Sequence, residues 1–255
     1  MTLRLERDGP VARLLIDRPA RRHAMTQDMW ESLPTLVNDA MADDSIRVVI
    51  LASATPGLFC AGADIDEFAT CSGDPDWRVA NQTAIRTIQY ALAHADKPVI
   101  AAIDGDCVGG GCGLAIACDL RIAAPTARLG ITPAKLGIVY SLFDTKLLVD
   151  LVGPARAKRI LFTGALHDAD TALAIGLIDQ IAADPLAEAD TLARTIAANA
   201  QHSVRSSKAI IRRILDGQAD DDERTLALFR DAFTLPDFAE GVAAFRTKRK
   251  PDFGG

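Results

Sequence analysis

Two glycine-containing turns constrain this chain more than any other feature of its sequence. The first is Phe59-Cys60-Ala61-Gly62-Ala63-Asp64 and the second is Gly109-Gly110-Gly111-Cys112-Gly113, and each follows a short apolar run of β character. Small residues leave the backbone N–H groups open to a ligand. Two such turns can direct two backbone donors at one oxygen atom, which stabilises the enolate of an activated carbonyl. The turns therefore predict an enzyme of acyl thioesters.

Strand and helix patterns alternate along the first half of the chain. The β-rich runs are Val11–Ile16, Arg47–Leu51 and Pro98–Ile103. A helix that begins after Thr26 separates the first two runs, and a helical stretch over Gln82–Ala93 precedes the third. Strand, helix and strand in succession require right-handed crossovers, so the fold class is predicted to be α/β.

The second half of the chain is predicted to be mostly helical. Short strands are predicted over Asp119–Ala123 and Leu129–Ile131, and helical periodicity dominates from Asp144 onward. The segment Asp190–Phe245 has almost no β signal. We therefore divide the chain into a core, residues 1–190, and a helical C-terminal region, residues 191–255.

Charge and cysteine content exclude several classes of function. The 255 residues carry a net charge of −6, which gives little electrostatic support for binding nucleic acid or an anionic membrane. The five cysteines form no Cys-x-x-Cys pair and do not cluster with the four histidines, so we expect no metal site. Free, mostly buried thiols favour a reducing, cytoplasmic setting. We expect no signal peptide and no membrane-spanning segment.

The second glycine turn does not match the common nucleotide-binding motifs. Gly109-Gly110-Gly111-Cys112-Gly113 gives no G-x-G-x-x-G in any frame, and no Walker lysine follows it. It opens a small-residue helix whose dipole favours negative charge at this end. Nicotinamide and nucleoside-triphosphate sites are therefore not predicted here.

Five blocks, in order, resemble the enoyl-CoA hydratase/isomerase (crotonase) family. They are Ile16–Met25, Phe59–Ile65, Lys97–Cys112, Cys118–Ala123 and Glu240–Arg249. The second block contains A-G-A-D, the third reads K-P-V-I-A-A-I-D-G and continues to G-G-G-C, and the last contains E-G-V-A-A-F-R-T-K-R. The resemblance covers nearly the whole chain.

The resemblance implies a crotonase-like core of repeated ββα turns that forms a spiral, followed by a helical region. Residues 1–190 would then hold the CoA site and the oxyanion hole, and residues 191–255 would trimerise. It implies an acyl-CoA substrate, with coenzyme A as part of that substrate and no tightly bound cofactor. It also implies a homotrimer or a dimer of trimers.

The resemblance further implies roles for individual residues. The N–H groups of Ala63 and Gly110 would form the oxyanion hole. The positions expected along coenzyme A are Ala61, Asp64, Ile65, Phe245 and Lys248, the last two in this or a neighbouring subunit.

Two departures from the family pattern affect the predicted chemistry. Hydratases of the family carry two glutamates that activate water and deliver the proton. The corresponding positions here are Gly113 and Pro133. Neither residue has a side chain that transfers a proton, so standard two-glutamate hydration is not predicted, and Asp144, Asp66 and Glu67 are reserve acid/base candidates.

The stretch from Ile131 to Tyr140 resembles methylmalonyl-CoA decarboxylases of the same superfamily, in which a tyrosine lies at the reacting carboxylate. Those enzymes differ from this chain at Ala63, where they have histidine, and at Gly113, where they keep glutamate. Tyr140 is thus a candidate donor to the acyl group. Three functions stay open: a hydratase/isomerase family reaction, decarboxylation of a malonyl-type CoA thioester, and acyl-CoA binding without catalysis.

Overall fold

The computed structural model describes residues 2–254, which form two β-sheets and the helices around them. The strands in that range are β1 (Leu3–Asp8), β2 (Val11–Ile16), β3 (Val48–Ser53), β4 (Leu58–Cys60), β5 (Val99–Ile103), β6 (Asp106–Val108), β7 (Leu120–Ala123), β8 (Arg128–Gly130), β9 (His167–Asp168) and β10 (Gln180–Ile181). The helices are α1 (Gln27–Ala42), α2 (Ile65–Cys71), α3 (Pro75–Ala93), α4 (Gly110–Ala117), α5 (Leu142–Val152), α6 (Pro154–Thr163), α7 (Ala169–Ala174), α8 (Pro185–Ala197), α9 (Gln201–Leu215), α10 (Glu223–Ala232) and α11 (Pro236–Thr247).

The larger sheet has the strand order β1-β2-β3-β5-β7-β10, and its strands are parallel except at the β1-β2 pair. Strand β5 is a continuous apolar run with every residue buried, as expected for a parallel strand covered on both faces. One face packs against α8 through Ala189, Ala193 and Ala197. The other face packs into the main core with Met29, Leu33 and their neighbours.

The smaller sheet has the order β4-β6-β8-β9. Consecutive strands alternate between the two sheets, with β3, β5 and β7 in the larger and β4, β6 and β8 in the smaller. Strands β4 and β6 are parallel, with Cys60 opposite Cys107. The carboxyl ends of adjacent parallel strands meet at one edge of a sheet, so both glycine turns begin side by side.

Helices α9 to α11 leave a row of apolar side chains exposed. These include Leu226, Phe229, Phe233 and Phe238. The boundary that we placed between residues 190 and 191 falls inside α8, which packs on the larger sheet. The helices beyond the core sheet therefore begin with α9.

The predicted strands agree with the structure to within one or two residues at each end. The predicted helix over Gln82–Ala93 is longer than expected, because it begins at Pro75 with the Asp74 side chain accepting a hydrogen bond from Asp76 N. Strands β1, β9 and β10 were not predicted. Four of the six residues of β1 are charged, and β9 and β10 have too few residues to show an alternating pattern. Within residues 2–254, no helix has the length and apolarity needed to cross a membrane.

Candidate active site

The two glycine turns meet at the carboxyl ends of β4 and β6. Gly62 has a φ of +94°, and a Cβ atom placed on it would lie 2.7 Å from Val108 O and 3.0 Å from Gly110 N. A Cβ on Gly110 would lie 3.6 Å from Ala63 N. Only glycine fits the first of these positions, because the second turn's backbone occupies the space that a side chain would need. The N–H groups of Ala63 and Gly110 therefore lie side by side.

Backbone contacts fix each turn without using these two N–H groups. Met25 N donates to Gly62 O at 2.8 Å, and Asp64 N donates to Met25 O at 2.9 Å. These two hydrogen bonds flank Ala63, and neither of them uses Ala63 N. Gly109 N donates to Gly130 O at 2.8 Å, and Gly110 is the first residue of α4. Among residues 2–254 neither Ala63 N nor Gly110 N has an acceptor. Both donors are available to a ligand oxygen.

The side chain of Asp64 stabilises the first turn by connecting it to Arg18 and to the N-terminus of α2. It accepts a hydrogen bond from Arg18 at 2.6 Å and caps α2 through Asp66 N and Glu67 N. Burial alone would raise the pKa of Asp64, but the Arg18 guanidinium and the two N–H groups outweigh it, and the pKa is lowered. The carboxylate thus stays ionised and holds Arg18 against the turn.

The space next to Gly113 is occupied by side chains from other elements. A Cβ on Gly113 would overlap Gln89 Nε2 and would lie 3.0 Å from Tyr140 Oη. Tyr140 was predicted only as a donor to the acyl group, and its position beside Gly113 was not predicted. Gln89, which lies on the buried face of α3, belongs to no motif and was not predicted at all. Pro133 begins a short 3₁₀ turn, Pro133–Leu136. No side chain at position 113 or 133 can transfer a proton.

Tyr140 and Asp144 bring titratable groups to the Gly113 side. Burial, and secondarily the Asp144 charge, hold the pKa of Tyr140 well above its usual value, so the phenol stays protonated at neutral pH. Burial raises the pKa of Asp144, while Ser141 and Arg86 act in the opposite direction. Tyr140 Oη and Asp144 Oδ1 have no hydrogen-bond partner among residues 2–254.

The other acid/base candidates have partners in the structure. Glu67 accepts a hydrogen bond from Gln27 N at 2.8 Å, and Asp66 pairs with Arg21. Cys60 is fully buried, donates from its Sγ to His23 O at 3.1 Å, and burial raises its pKa to about 12. Such a thiol is not a nucleophile at neutral pH. Glu67 therefore connects α2 to the N-terminus of α1, and Asp66 connects α2 to Arg21.

The residues predicted along coenzyme A lie in two parts of the structure, the first turn with the start of α2 and the end of α11. Ala61 N donates to Arg22 O at 3.1 Å, which places it in the first turn, and Ile65 is exposed at the start of α2. Phe245, 86% exposed, lies in the last turn of α11, and Lys248 ends that helix in a left-handed conformation. Their role in CoA binding stays a prediction, as does that of Asp64, whose carboxylate faces Arg18.

Comparison with known proteins identifies the family. The model of the enoyl-CoA hydratase/isomerase family matches residues 6–255. The structure superposes with a TM-score of 0.96 on a protein assigned to that family from Hyphomonas neptunium, which is 41% identical and is covered over 98% of its length by 100% of this chain. The "Crotonyl-CoA hydratase" of Syntrophomonas wolfei is 34% identical over 98% of this chain and 96% of its own length.

A second curated relative is the "Short-chain-enoyl-CoA hydratase" of Clostridium acetobutylicum, 34% identical over 96% of this chain and 95% of its own. These matches define an acyl-CoA enzyme class with the crotonase fold and a C-terminal helical region. The chain belongs to the enoyl-CoA hydratase/isomerase family. The predictions of family and fold class are confirmed.

Proposed function

We propose that Ala63 N–H and Gly110 N–H form an oxyanion hole that stabilises the enolate of an acyl-CoA thioester. The observation that carries this proposal is the convergence of the two turns, which leaves both N–H groups adjacent and without an acceptor in the described part of the chain. Gly110 N–H lies at the positive end of α4, which favours the negative charge that develops on the thioester oxygen. Preorganised donors of this kind are often the largest single contribution to catalysis.

The proton chemistry differs from two-glutamate hydration. Gly113 and Pro133 contribute no carboxylate, and Gln89 and Tyr140 fill the space beside Gly113. The relatives from S. wolfei and C. acetobutylicum carry hydratase names. In this chain the reaction is a lyase or isomerase step that uses the enolate hole, with Tyr140 as the candidate donor to the acyl group.

Decarboxylation of a malonyl-type CoA thioester is the second candidate function. Loss of CO2 requires an enolate hole and an orienting donor but no strong base. The buried, protonated phenol of Tyr140 beside Gly113 favours this candidate. Acyl-CoA binding without turnover is the remaining alternative, and turnover assays separate it from the other two.

The coenzyme A and assembly proposals involve the C-terminal helices. Phe245 and Lys248 lie on the surface of α11, where an aromatic ring and a cation can contact the nucleotide part of coenzyme A in this or a neighbouring subunit. The exposed apolar row on α10 and α11 supports a homotrimer or a dimer of trimers.

The test of the oxyanion hole compares Gly110→Pro with Gly110→Ala. Both variants place a Cβ 3.1 Å from the Trp30 ring, but only proline removes the N–H. Losing one oxyanion donor lowers turnover by roughly 10²- to 10³-fold. Turnover is measured on crotonyl-CoA and on malonyl-type thioesters. Equal turnover of folded Gly110→Pro and Gly110→Ala proteins would refute the assignment.

The same assay decides between the reactions. We expect crotonyl-CoA hydration to be orders of magnitude slower than in a two-glutamate hydratase, because a positioned acid or base contributes about 10²- to 10⁴-fold. Brisk crotonyl-CoA hydration that is insensitive to Tyr140→Phe would show that another group transfers the proton. Loss of CO2 from a malonyl-type thioester, reduced by Tyr140→Phe, would establish the decarboxylase.

A further inference from the structure

A cavity of about 710 Å³ lies between the end of α3 and the helices α9 and α10. The core lines it with Arg47, which precedes β3, and with His94 and Asp96, which precede β5. The glycine turns of the candidate active site follow β4 and β6, and they contribute none of the described residues that line this cavity. The cavity is therefore separate from the candidate active site and is formed where the C-terminal helices meet the core.

The cavity is electropositive in a protein that is acidic as a whole. Its walls carry three carboxylates and six cationic side chains, and the cations are Arg47, Arg205, Lys208, Arg212, Arg213 and Arg224. The whole chain has a net charge of −6. A cleft lined by an excess of one sign of charge concentrates ions of the opposite sign. The charge of the cavity therefore favours an anionic ligand.

Two of the six cations have no partner in the protein. Arg205 and Arg224 form no ion pair and donate no side-chain hydrogen bond among residues 2–254. Three of the other cations form ion pairs at 2.6 to 2.8 Å, and the fourth donates to two backbone carbonyls, in the order Lys208, Arg212, Arg213 and Arg47. The guanidinium groups of Arg205 and Arg224 are thus the groups that remain for a ligand.

The surroundings of Arg205 leave its charge uncompensated. Its Nε is buried and has no acceptor among residues 2–254, although buried polar groups are nearly always hydrogen-bonded. Behind the cavity wall, Lys97 is buried and donates to Ala40 O and Asp43 O. Burial, and secondarily the Arg205 charge, lower the pKa of Lys97. An anion at Arg205 would supply the missing acceptor and reduce the repulsion between the two cations.

The two arginines indicate which anion fits. A planar guanidinium group donates two parallel hydrogen bonds to a phosphate or carboxylate, and a ligand with two linked anionic groups can use both arginines. A phosphate group carries up to about two negative charges, more than a carboxylate, which suits the excess of cations. The volume of the cavity is in the range of small-molecule sites, about 300–1,000 Å³.

We propose that this cavity binds the diphosphate group of a small phosphorylated ligand through Arg205 and Arg224. The ligand is either free diphosphate or a nucleotide that carries one. Binding here does not depend on the oxyanion hole. Because none of the residues of α9 is buried, a ligand held between α9, α10 and the core would also stabilise the packing of the C-terminal helices.

Isothermal titration calorimetry of the purified protein, at constant ionic strength, tests this proposal. The probes are sodium pyrophosphate, ADP and adenosine. We expect pyrophosphate and ADP to bind at one site per chain and adenosine not to bind. Equal affinity for pyrophosphate and ADP would show that the diphosphate is sufficient, and tighter binding of ADP would identify a nucleotide as the source of the diphosphate.

Three variants test whether the two arginines form the site. Arg205→Gln and Arg224→Gln should each weaken pyrophosphate binding roughly 10- to 100-fold, because each removes hydrogen bonds to a charged group. Arg230→Gln removes the same charge from an exposed position of α10 that does not line the cavity, and it should keep the wild-type affinity. Arg224 is exposed, so its variant preserves the test if Arg205→Gln does not fold.

Several results would overturn the proposal. Failure of both pyrophosphate and ADP to bind would overturn it entirely, and adenosine binding as tight as that of ADP would overturn the diphosphate assignment. Unchanged affinity in Arg205→Gln and Arg224→Gln, or equal weakening in Arg230→Gln, would overturn the location. Competition between pyrophosphate and butyryl-CoA would show that the two share one site and would overturn the separation from the active site.

Discussion

The indole ring of Trp30 lies directly against the backbone of Gly110. Ring carbons Cζ2 and Cη2 are 3.1 Å from the position that a Cβ on Gly110 would occupy, and the Trp30 side chain is completely buried. Helix α1 therefore forms the wall behind the second glycine turn, and the ring limits how far the Gly110 N–H can shift.

Truncation of this wall should cost both stability and turnover. Trp30→Ala removes a fully buried ring, so the free energy of unfolding should fall by about 3–5 kcal/mol. Turnover should fall more than acyl-CoA affinity, because Gly110 N–H loses its fixed position. Urea unfolding and steady-state kinetics measure the two effects. Trp77→Ala is the control, since Trp77 is half-buried and packs edge-on against Phe68 at a ring-centroid distance of 5.1 Å.

The contact between the two turns gives a second prediction, at Gly62. Gly62→Ala places a Cβ 2.7 Å from Val108 O at a φ of +94°, so the turns must separate. Stability and turnover should both fall, and the loss of turnover should approach the roughly 10²-fold expected for a displaced oxyanion donor. Gly73→Ala is the matched control, because nothing lies within 4 Å of its Cβ position. Similar behaviour of the two variants would contradict this account of Gly62.

The sequence predicted the parts of this site that depend on local pattern. The turns at Gly62 and Gly110 each follow a short strand, so a short segment of sequence is enough to predict that each turn exposes backbone N–H groups. Their adjacency follows from the parallel β4-β6 pair, which the sequence suggests only through family resemblance. Gln89 was missed because its neighbours on α3 form an ordinary buried helix face, and its position beside Gly113 depends on how α3 packs on α4.

The third prediction concerns assembly through the C-terminal helices. Phe229 is 68% exposed on α10, with its ring edge-on to Phe233 at 5.2 Å between ring centroids. If the apolar row forms a subunit interface, Phe229→Asp should lower the mass measured by sedimentation velocity, because it places a charge in a desolvated contact. Val79→Asp, at an exposed apolar position on α3, should leave the mass unchanged. A wild-type protein that sediments as a monomer would contradict the proposed trimer.

The buried carboxyl of Asp144 makes stability depend on pH in a defined direction. Burial raises its pKa in the folded protein above the ordinary 3.8, so between these two pKa values the folded state binds more protons than the unfolded state. The contribution of this group to the free energy of unfolding therefore falls as pH rises from 3.8 to the raised pKa, and is constant outside that window. Subtracting the Asp144→Asn variant from the wild type, in urea unfolding at a series of pH values, cancels the other carboxylates. The difference should decrease with pH; a difference that is flat or increases would show that the pKa of Asp144 is not raised.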